Sequence, residues 1–155
     1  MLLIAAFSAV TTSAAGDEIV EDSWETVAPL SKPYYQGPGA AAADGKIYFI
    51  GGDICERYNP ETNNWTTITP PPVYTVLDTV VACQNKIYMT GGPTRIYDPS
   101  TDTWVNASSL PQTLGGYQAR VVNDKIYVIS GEISGPLGRF DLSNATYVYD
   151  PTADS

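Results

Sequence analysis

The chain has 155 residues, a formal net charge of −9 and no histidine. Because binding to phosphate backbones relies on clustered Lys and Arg, this charge argues against a nucleic acid partner. Without histidine, the chain by itself cannot supply a Ser-His-Asp triad, a His-ligated zinc or copper site, or imidazole acid–base catalysis. The length and the hydrophobic content of 43% predict one folded domain with a core of its own.

The first fifteen residues have the pattern of an export signal. An apolar run from Leu2 to Val10 is followed by small residues before Gly16, although no basic residue precedes the run. A membrane anchor or a non-specific apolar start is the alternative, but the run is shorter than the about 20 residues that cross a bilayer. We therefore predict a signal peptide-like segment at 1–15, an acidic linker at 16–23, and a secreted or extracytoplasmic protein that is not stably inserted in a membrane after cleavage.

A repeat of about 40 residues organises the rest of the chain, and it is the most informative feature of the sequence. Three markers share this period: a Lys-Ile-Tyr tripeptide, a tryptophan, and a Tyr-Asn-Pro or Tyr-Asp-Pro tripeptide. The first residues of the markers are Lys46, Lys86 and Lys125; Trp24, Trp65 and Trp104; and Tyr58, Tyr97 and Tyr149. Three independent markers with one period predict a repeated structural unit.

Each repeat has the local chemistry of short antiparallel strands. The dipeptides Asp44-Gly45, Gln84-Asn85 and Asn123-Asp124 tolerate positive φ and lie between apolar runs, so each predicts a two-residue hairpin turn. A third strand should end at each Tyr-Asn/Asp-Pro, because proline cannot donate to a ladder. A fourth strand should begin at or just before each tryptophan, including a strand at Trp24–Val27. No segment after residue 16 has a helical period, so we expect almost no helix.

The apolar strand, the paired glycines Gly51-Gly52 and Gly91-Gly92, and Tyr-Asp-Pro followed by tryptophan together resemble the kelch repeat. The resemblance covers about Trp24 to Ser155 and implies an all-β fold in which each repeat forms one four-stranded antiparallel blade of a β-propeller. The third repeat departs from the pattern, with Ser130-Gly131 in place of two glycines and a longer segment at Glu132–Asn144. The repeats divide at 24–64, 65–103 and 104–155.

Twelve predicted strands make about three blades, whereas a closed propeller has at least about four. We expect the chain to be the N-terminal part of a six- or seven-bladed propeller. The alternative is a half-propeller that self-associates through its open blade faces, with the Trp24 strand completing the blade of the third repeat.

The two cysteines are expected to be free. Export would allow Cys55 and Cys83 to pair. However, the predicted strands place them in different repeats and near opposite ends of their strands, which favours two partly buried thiols.

The resemblance and the composition together predict a non-catalytic interaction scaffold with no cofactor, metal or catalytic residue. Its partner would be a protein or a carbohydrate, because rigid amphipathic aromatics on blade-connecting loops suit both. The competing interpretation is that the loop tyrosines pack against neighbouring blades. The candidate binding residues are Tyr34, Tyr35, Tyr74, Tyr117, Arg120 and Arg139.

An enzyme is the alternative function. Kelch-like propellers include copper radical oxidases that resemble galactose oxidase, whose metal site uses histidine, tyrosine and a cysteine-linked tyrosine. This chain has cysteine and tyrosine but no histidine. A copper site would therefore need residues beyond Ser155.

Overall fold

The computed structural model describes residues 24–35, 37, 39–73, 79–134 and 140–155. The predicted segments at 1–15 and 16–23, and the candidate residues Tyr74 and Arg139, lie outside the described residues. Within the described ranges the regular structure consists of strands, with no helix, which confirms the predicted all-β class.

Three antiparallel sheets follow one another along the chain, and we call them the first, second and third blades. The first contains β1 (Gly39–Ala43), β2 (Lys46–Gly51), β3 (Ile54–Asn59) and β4 (Asn64–Thr67). The second contains β5 (Thr79–Cys83), β6 (Lys86–Thr90), β7 (Arg95–Asp98) and β8 (Thr103–Asn106). The third contains β9 (Leu114–Gly115), β10 (Gln118–Val122), β11 (Lys125–Ser134) and β12 (Phe140–Tyr149).

The blades have the strand order expected of propeller blades. In the first and second blades the strands pair in chain order, and in the third β10, β11 and β12 do so while β9 pairs with β11. The sheets do not close into a ring, which is consistent with a partial propeller. The predicted first hairpin is confirmed, since Ala43 pairs with Lys46 and Ala40 with Phe49.

The hairpin turns between the first two strands of each blade also confirm the prediction. Both central residues have positive φ in Asp44-Gly45 (45° and 73°), Gln84-Asn85 (50° and 58°) and Asn123-Asp124 (49° and 58°). Two consecutive residues with positive φ define the type I′ turn, whose twist matches that of the flanking strands. Strands β1, β5 and β10 lie innermost in their blades, since β5 contacts both β1 and β10.

The core lies between consecutive blades rather than inside one sheet. One buried cluster joins Tyr48 and Ile50 of the first blade to Ile87 of the second, and another joins the second blade to Ile126 of the third. Close approach of the innermost strands requires Gly39, where an added Cβ would come within 2.2 Å of a side-chain carbon of Val80. Packing between blades therefore provides most of the apolar burial.

The prediction of a strand at Trp24–Val27 is wrong. The segment forms no strand, and Trp24 is fully exposed. A strand needs a neighbour to satisfy its backbone groups, and the described part of the chain places no blade beside this segment. The other two tryptophans, Trp65 and Trp104, are partly buried. Each is the second residue of the fourth strand of its blade, as predicted.

The cysteines are free and buried, which confirms the prediction. Cys55 lies near the start of β3 and Cys83 at the end of β5. Burial raises the pKa of both thiols, so the neutral form is favoured in the folded chain.

Candidate functional site

The loop that enters β1 and the turn between β2 and β3 lie together, and we call the surface formed by such loops and turns the loop face. Lys32 of the loop forms an ion pair with Asp53 of the turn. The backbone N–H of Ser31 donates to Oε2 of Glu56 at 3.2 Å, and Glu56 is a buried residue of β3. These contacts hold the entering loop against its own blade.

The loop face continues across the second and third blades. The N–H of Leu114 donates to the carbonyl of Gly91, in the turn after β6, at 3.3 Å. Strand β9 then pairs with Glu132 and Ile133 of β11. The long segment predicted in the third repeat thus continues the β11–β12 hairpin, whose strands have ten residues each against four to six in the first two blades.

A local irregularity marks the base of this long hairpin. The register of β11 against β12 shifts between Ile129 and Gly131, and the two residues after Ile129 have positive φ, 61° at Ser130 and 125° at Gly131. The hydroxyl of Ser130 donates to the carbonyl of Ser143 at 3.0 Å. A register shift with positive φ of this kind marks a β-bulge, which locally bends a strand.

Two of the candidate tyrosines lie on the loop face in different environments. Tyr34 is half-buried and packs edge-on against Phe49, with ring centroids 5.9 Å apart and an interplanar angle of 86°. Its ring also lies close to Gly51. Tyr35 is 87% exposed. Tyr34 therefore anchors the loop, and Tyr35 is the aromatic side chain that this loop presents to solvent.

Tyr117 lies in the core, as expected if the loop tyrosines pack against neighbouring blades and do not bind a partner. It is 2% exposed, and its hydroxyl accepts a hydrogen bond from the N–H of Thr79 at 2.9 Å. The hydroxyl also lies 3.0 Å from Oγ1 of Thr90. Since Thr79 and Thr90 belong to the second blade, Tyr117 joins the third blade to the second.

Arg120 is not beside the loop tyrosines. It lies on β10, is exposed, and donates from Nη1 to the carbonyl of Ala119 at 2.6 Å. Its neighbours form an open channel of about 310 Å³ between the innermost strands, lined by Ala40–Ala42, Val80–Ala82 and Ala119–Val121. Of the four candidates that lie within the described residues, the structure thus brings Tyr34 and Tyr35 together on the loop face.

A hydrogen-bonded arrangement that the sequence analysis missed recurs where each blade meets the preceding loop, and we call it the blade junction. In the first blade, Oδ1 of Asn63 accepts from the Tyr58 hydroxyl and from the N–H of Ala28, both at 2.8 Å. The carbonyl of Ala28 accepts from Nε1 of Trp65 at 2.8 Å. One amide side chain and one backbone unit therefore connect the blade to the segment before it.

The second and third blades repeat the junction with aspartate. Oδ1 of Asp102 accepts from the Tyr97 hydroxyl at 2.8 Å and from the N–H of Thr69 at 2.9 Å, and the carbonyl of Thr69 accepts from Nε1 of Trp104. In the third blade, Oδ1 of Asp154 accepts from Tyr149 and Ser108, both at 2.8 Å. The acceptor lies five residues after each marker tyrosine, and this spacing is visible in the sequence.

Electrostatics at the junctions follow from these contacts. The N–H of Thr69 and the Tyr97 hydroxyl hold the pKa of Asp102 below its ordinary value. The N–H of Ser108 does the same for Asp154. Burial, reinforced by the neighbouring carboxylate, raises the pKa of Tyr97.

The described residues do not suggest a metal centre, since they contain no group of three or more Cys, Asp or Glu side chains placed to hold an ion. In the same part of the chain, no helix has the length and apolar character needed to cross a membrane.

Comparison with known proteins finds kelch-repeat relatives, while no family model matches the chain. An F-box/kelch-repeat protein of Arabidopsis thaliana is 32% identical over 151 residues, which cover 86% of this chain and 42% of that protein. Kelch-like protein 38 of Danio rerio is 27% identical over 76% of this chain and 22% of its own length. Kelch-like protein 23 of Mus musculus is 30% identical over 85% of this chain and 25% of its own length. The chain therefore spans less than half the length of these relatives.

Proposed function

The chain is a kelch-repeat chain with three repeats, and we propose that it serves as a non-catalytic interaction scaffold that binds a protein partner through its loop face. Kelch-repeat relatives are typically protein-interaction scaffolds, which supports a non-catalytic role. The observation that carries the proposal is the contrast between a fixed loop and the exposed aromatic ring of Tyr35 at its surface.

The residues just before Tyr35 are held in place before any partner arrives. Lys32 is paired with Asp53, the N–H of Ser31 is bound by Glu56, and the neighbouring Tyr34 packs on the first blade. A partner would therefore not have to order residues 31–34, so less conformational entropy is lost on binding. An aromatic residue on a fixed loop is the type of residue that dominates protein interfaces.

The long hairpin of the third blade extends the proposed contact surface. Its described part exposes Leu142, which is 85% accessible, together with the acidic residues Glu132 and Asp141. The whole chain has a net charge of −9. These features favour a partner surface that combines apolar and basic groups, because complementary charge increases the association rate and suppresses wrong partners.

Site-specific photo-crosslinking tests the proposal. The photoreactive amino acid p-benzoylphenylalanine is introduced in place of Tyr35. In a control chain it replaces Val122, which is 52% exposed and lies beside the hairpin turn, at the end of β10 away from the loop face. After irradiation in the source cells, we expect a discrete protein adduct from position 35 and none from position 122. The crosslinked protein is identified by mass spectrometry and then purified.

Affinity for that purified protein provides the quantitative test. Tyr35→Ala should raise its dissociation constant by about fivefold or more, because truncation of an aromatic that anchors an interface costs about 1 kcal/mol or more. Val122→Ala should leave the constant unchanged. Equal crosslinking at both positions, or an affinity insensitive to Tyr35→Ala, would contradict the proposal.

Carbohydrate binding and export are separate proposals. A glycan partner would stack on the ring of Tyr35. If the chain binds oligosaccharides on an array and Tyr35→Ala abolishes that binding, the partner is a carbohydrate and not a protein.

Export predicts cleavage after Ala15 and accumulation of the mature chain outside the cytoplasm, which N-terminal sequencing of the expressed protein tests. The copper oxidase alternative stays a prediction about residues beyond Ser155.

A further inference from the structure

We propose that Asn144, in the long hairpin of the third blade, is an acceptor site for N-linked oligosaccharide. The tripeptide Asn144-Ala145-Thr146 has the Asn-X-Thr pattern of such an acceptor, and its middle residue is not proline. The pattern is used only in a chain that enters a secretory pathway, so the inference rests on the export proposed above. It is independent of the partner proposed for the loop face.

The acceptor residue lies in the bulge of β12. Ser143 pairs with Gly131 and Thr146 pairs with Ile129, so two residues, Asn144 and Ala145, lie opposite the single residue between Ile129 and Gly131. Two residues opposite one interrupt the ladder and bend the strand. Asn144 therefore lies at an irregular position of the backbone, and acceptor asparagines are typical of such irregular surface segments.

Both side chains that the modification requires are accessible. Asn144 and Thr146 are exposed, whereas Ala145 and Tyr147 are half-buried. The side-chain hydrogen bonds of the bulge are made by serine hydroxyl groups, since Ser130 donates to the carbonyl of Ser143 and Oγ of Ser143 accepts from the N–H of Ala145. A bulky oligosaccharide on Nδ2 of Asn144 would therefore extend into solvent without breaking these contacts.

The accessibility of Asn144 does not depend on which strand completes the third blade. In the first blade β4 pairs with Glu56–Asn59, and in the second blade β8 pairs with Arg95–Asp98. Each paired range begins two residues before the marker tyrosine and ends one residue after it. The equivalent range in β12 is 147–150, and Asn144 lies before it. A fourth strand in the same register would leave the acceptor uncovered.

The chain has two further patterns of this kind, which begin at Asn64 and Asn106. Each includes a residue of a blade junction, Trp65 in the first and Ser108 in the second. The pattern at Asn144 includes no residue of the three described junctions. Its modification therefore leaves the hydrogen bonds between the blades and their preceding segments intact.

The proposed modification is the transfer of an oligosaccharide from a lipid-linked diphosphate donor. The carboxamide nitrogen Nδ2 of Asn144 attacks C1 of the first sugar and forms an N-glycosidic bond. The bond between C1 and the diphosphate oxygen breaks, and the diphosphate leaves with the electron pair. Nδ2 releases one proton in the same step. The transferase and the donor are supplied by the secretory pathway of the cell.

Glycopeptide mass spectrometry of the 155-residue chain, produced in cultured mammalian cells, tests the proposal. One form keeps its own residues 1–15, and in a second form the cleavable signal peptide of a secreted protein replaces them. We expect oligosaccharide on Asn144 in both forms and its removal by peptide-N-glycosidase. Asn144→Gln and Thr146→Ala should abolish the modification at this position. Thr146→Ser should keep it, because the hydroxyl group remains.

The two forms separate failure of the acceptor site from failure of export. A chain that has lost its signal peptide but carries an unmodified Asn144 would overturn the proposal. Modification only in the form with the replaced signal peptide would refute export and support the acceptor site.

Urea unfolding of chains made in bacteria, without oligosaccharide, provides a structural control. Asn144→Gln should have the same unfolding midpoint as the parent chain, because the asparagine is exposed. A clear loss of stability in this variant would show that Asn144 supports the bulge, which contradicts a side chain available for modification.

Discussion

Replacing Asp102 separates the effect of charge from the effect of hydrogen bonding at the second blade junction. The first junction already has an amide at this position, and Asn63 accepts from Tyr58 and Ala28 at 2.8 Å. Asp102→Asn should therefore keep the two hydrogen bonds to Oδ1. The Thr69 hydroxyl, which donates to Oδ2 at 2.9 Å, can turn to accept from the new amide group, so the stability at neutral pH should change only slightly. Asp102→Ala should be clearly destabilising, because the hydroxyl of Tyr97 loses its acceptor.

The size of the effect follows from the burial of Tyr97, not from the exposed aspartate. Tyr97 is 1% exposed, and leaving a buried hydroxyl without a partner costs about 1–3 kcal/mol. The N–H of Thr69 is also released, but it lies in an exposed loop where water can replace the carboxylate. We therefore expect Asp102→Ala to lower the free energy of unfolding by about 1–3 kcal/mol.

The pH dependence gives the same experiment a second readout. The pKa of Asp102 is lowered in the folded chain from its ordinary value of 3.8. A lowered folded pKa contributes stability that is present above the unfolded value and is lost as the pH falls through the folded value. Asp102→Asn removes this titration, so its stability should fall less steeply below about pH 4 than that of the parent chain.

Urea unfolding followed by circular dichroism at pH 7 and at pH 3 measures both effects. If Asp102→Asn is as unstable as Asp102→Ala at pH 7, the carboxylate charge matters and the shared hydrogen-bond geometry does not. If the acid dependence of Asp102→Asn equals that of the parent chain, the carboxylate is not linked to folding. Either result would refute the reasoning.

Three other features of the structure make predictions of their own. Gly39→Ala should lower the free energy of unfolding by about 1–3 kcal/mol because the new methyl group collides with a valine of β5, whereas Gly92→Ala, with open space around it, should be tolerated in the same denaturation assay. Burial and its carboxylate neighbour raise the pKa of Tyr48 to about 12, so the stability that this residue contributes is present below pH 10 and is lost as the pH rises towards 12. Melting temperatures measured across that range should fall less in Tyr48→Phe. Cys55 and Cys83 should react with iodoacetamide only after unfolding, and rapid labelling of the folded chain detected by mass spectrometry would contradict their burial.

The strands and turns could be predicted from the sequence because their causes are local. Asp44-Gly45 and its counterparts prefer positive φ by themselves, and the proline after each marker tyrosine ends a ladder wherever it occurs. The recurring lysine was also visible, and in two blades it pairs with the aspartate after the marker tyrosine, Lys86 with Asp98 and Lys125 with Asp150. Regular spacing and short-range chemistry were sufficient for this level of the fold.

The environments of individual loop residues could not be predicted, because they depend on neighbouring blades. Tyr34, Tyr35 and Tyr117 all lie within two residues after a proline or glycine in loop-like sequence. Yet Tyr34 packs on its own blade, Tyr35 is exposed and Tyr117 is buried between blades. Trp24 has the register of a strand but forms none without an adjacent sheet. The hydrogen bonds that Asp102 and Asp154 accept could not be predicted either, since a spacing of five residues does not reveal that a preceding loop approaches the same oxygen.

The blade junctions also determine how unfolding can spread through the chain. Each junction couples only a blade and the segment just before it, so the energetics are those of nearest neighbours in a one-dimensional array. The amide protons of Ala28, Thr69 and Ser108 are then local reporters, each protected from hydrogen exchange by one acceptor side chain. Breaking a single junction should expose one of these amide protons to exchange while the other two stay protected. Unfolding in this protein should therefore spread from blade to blade in chain order.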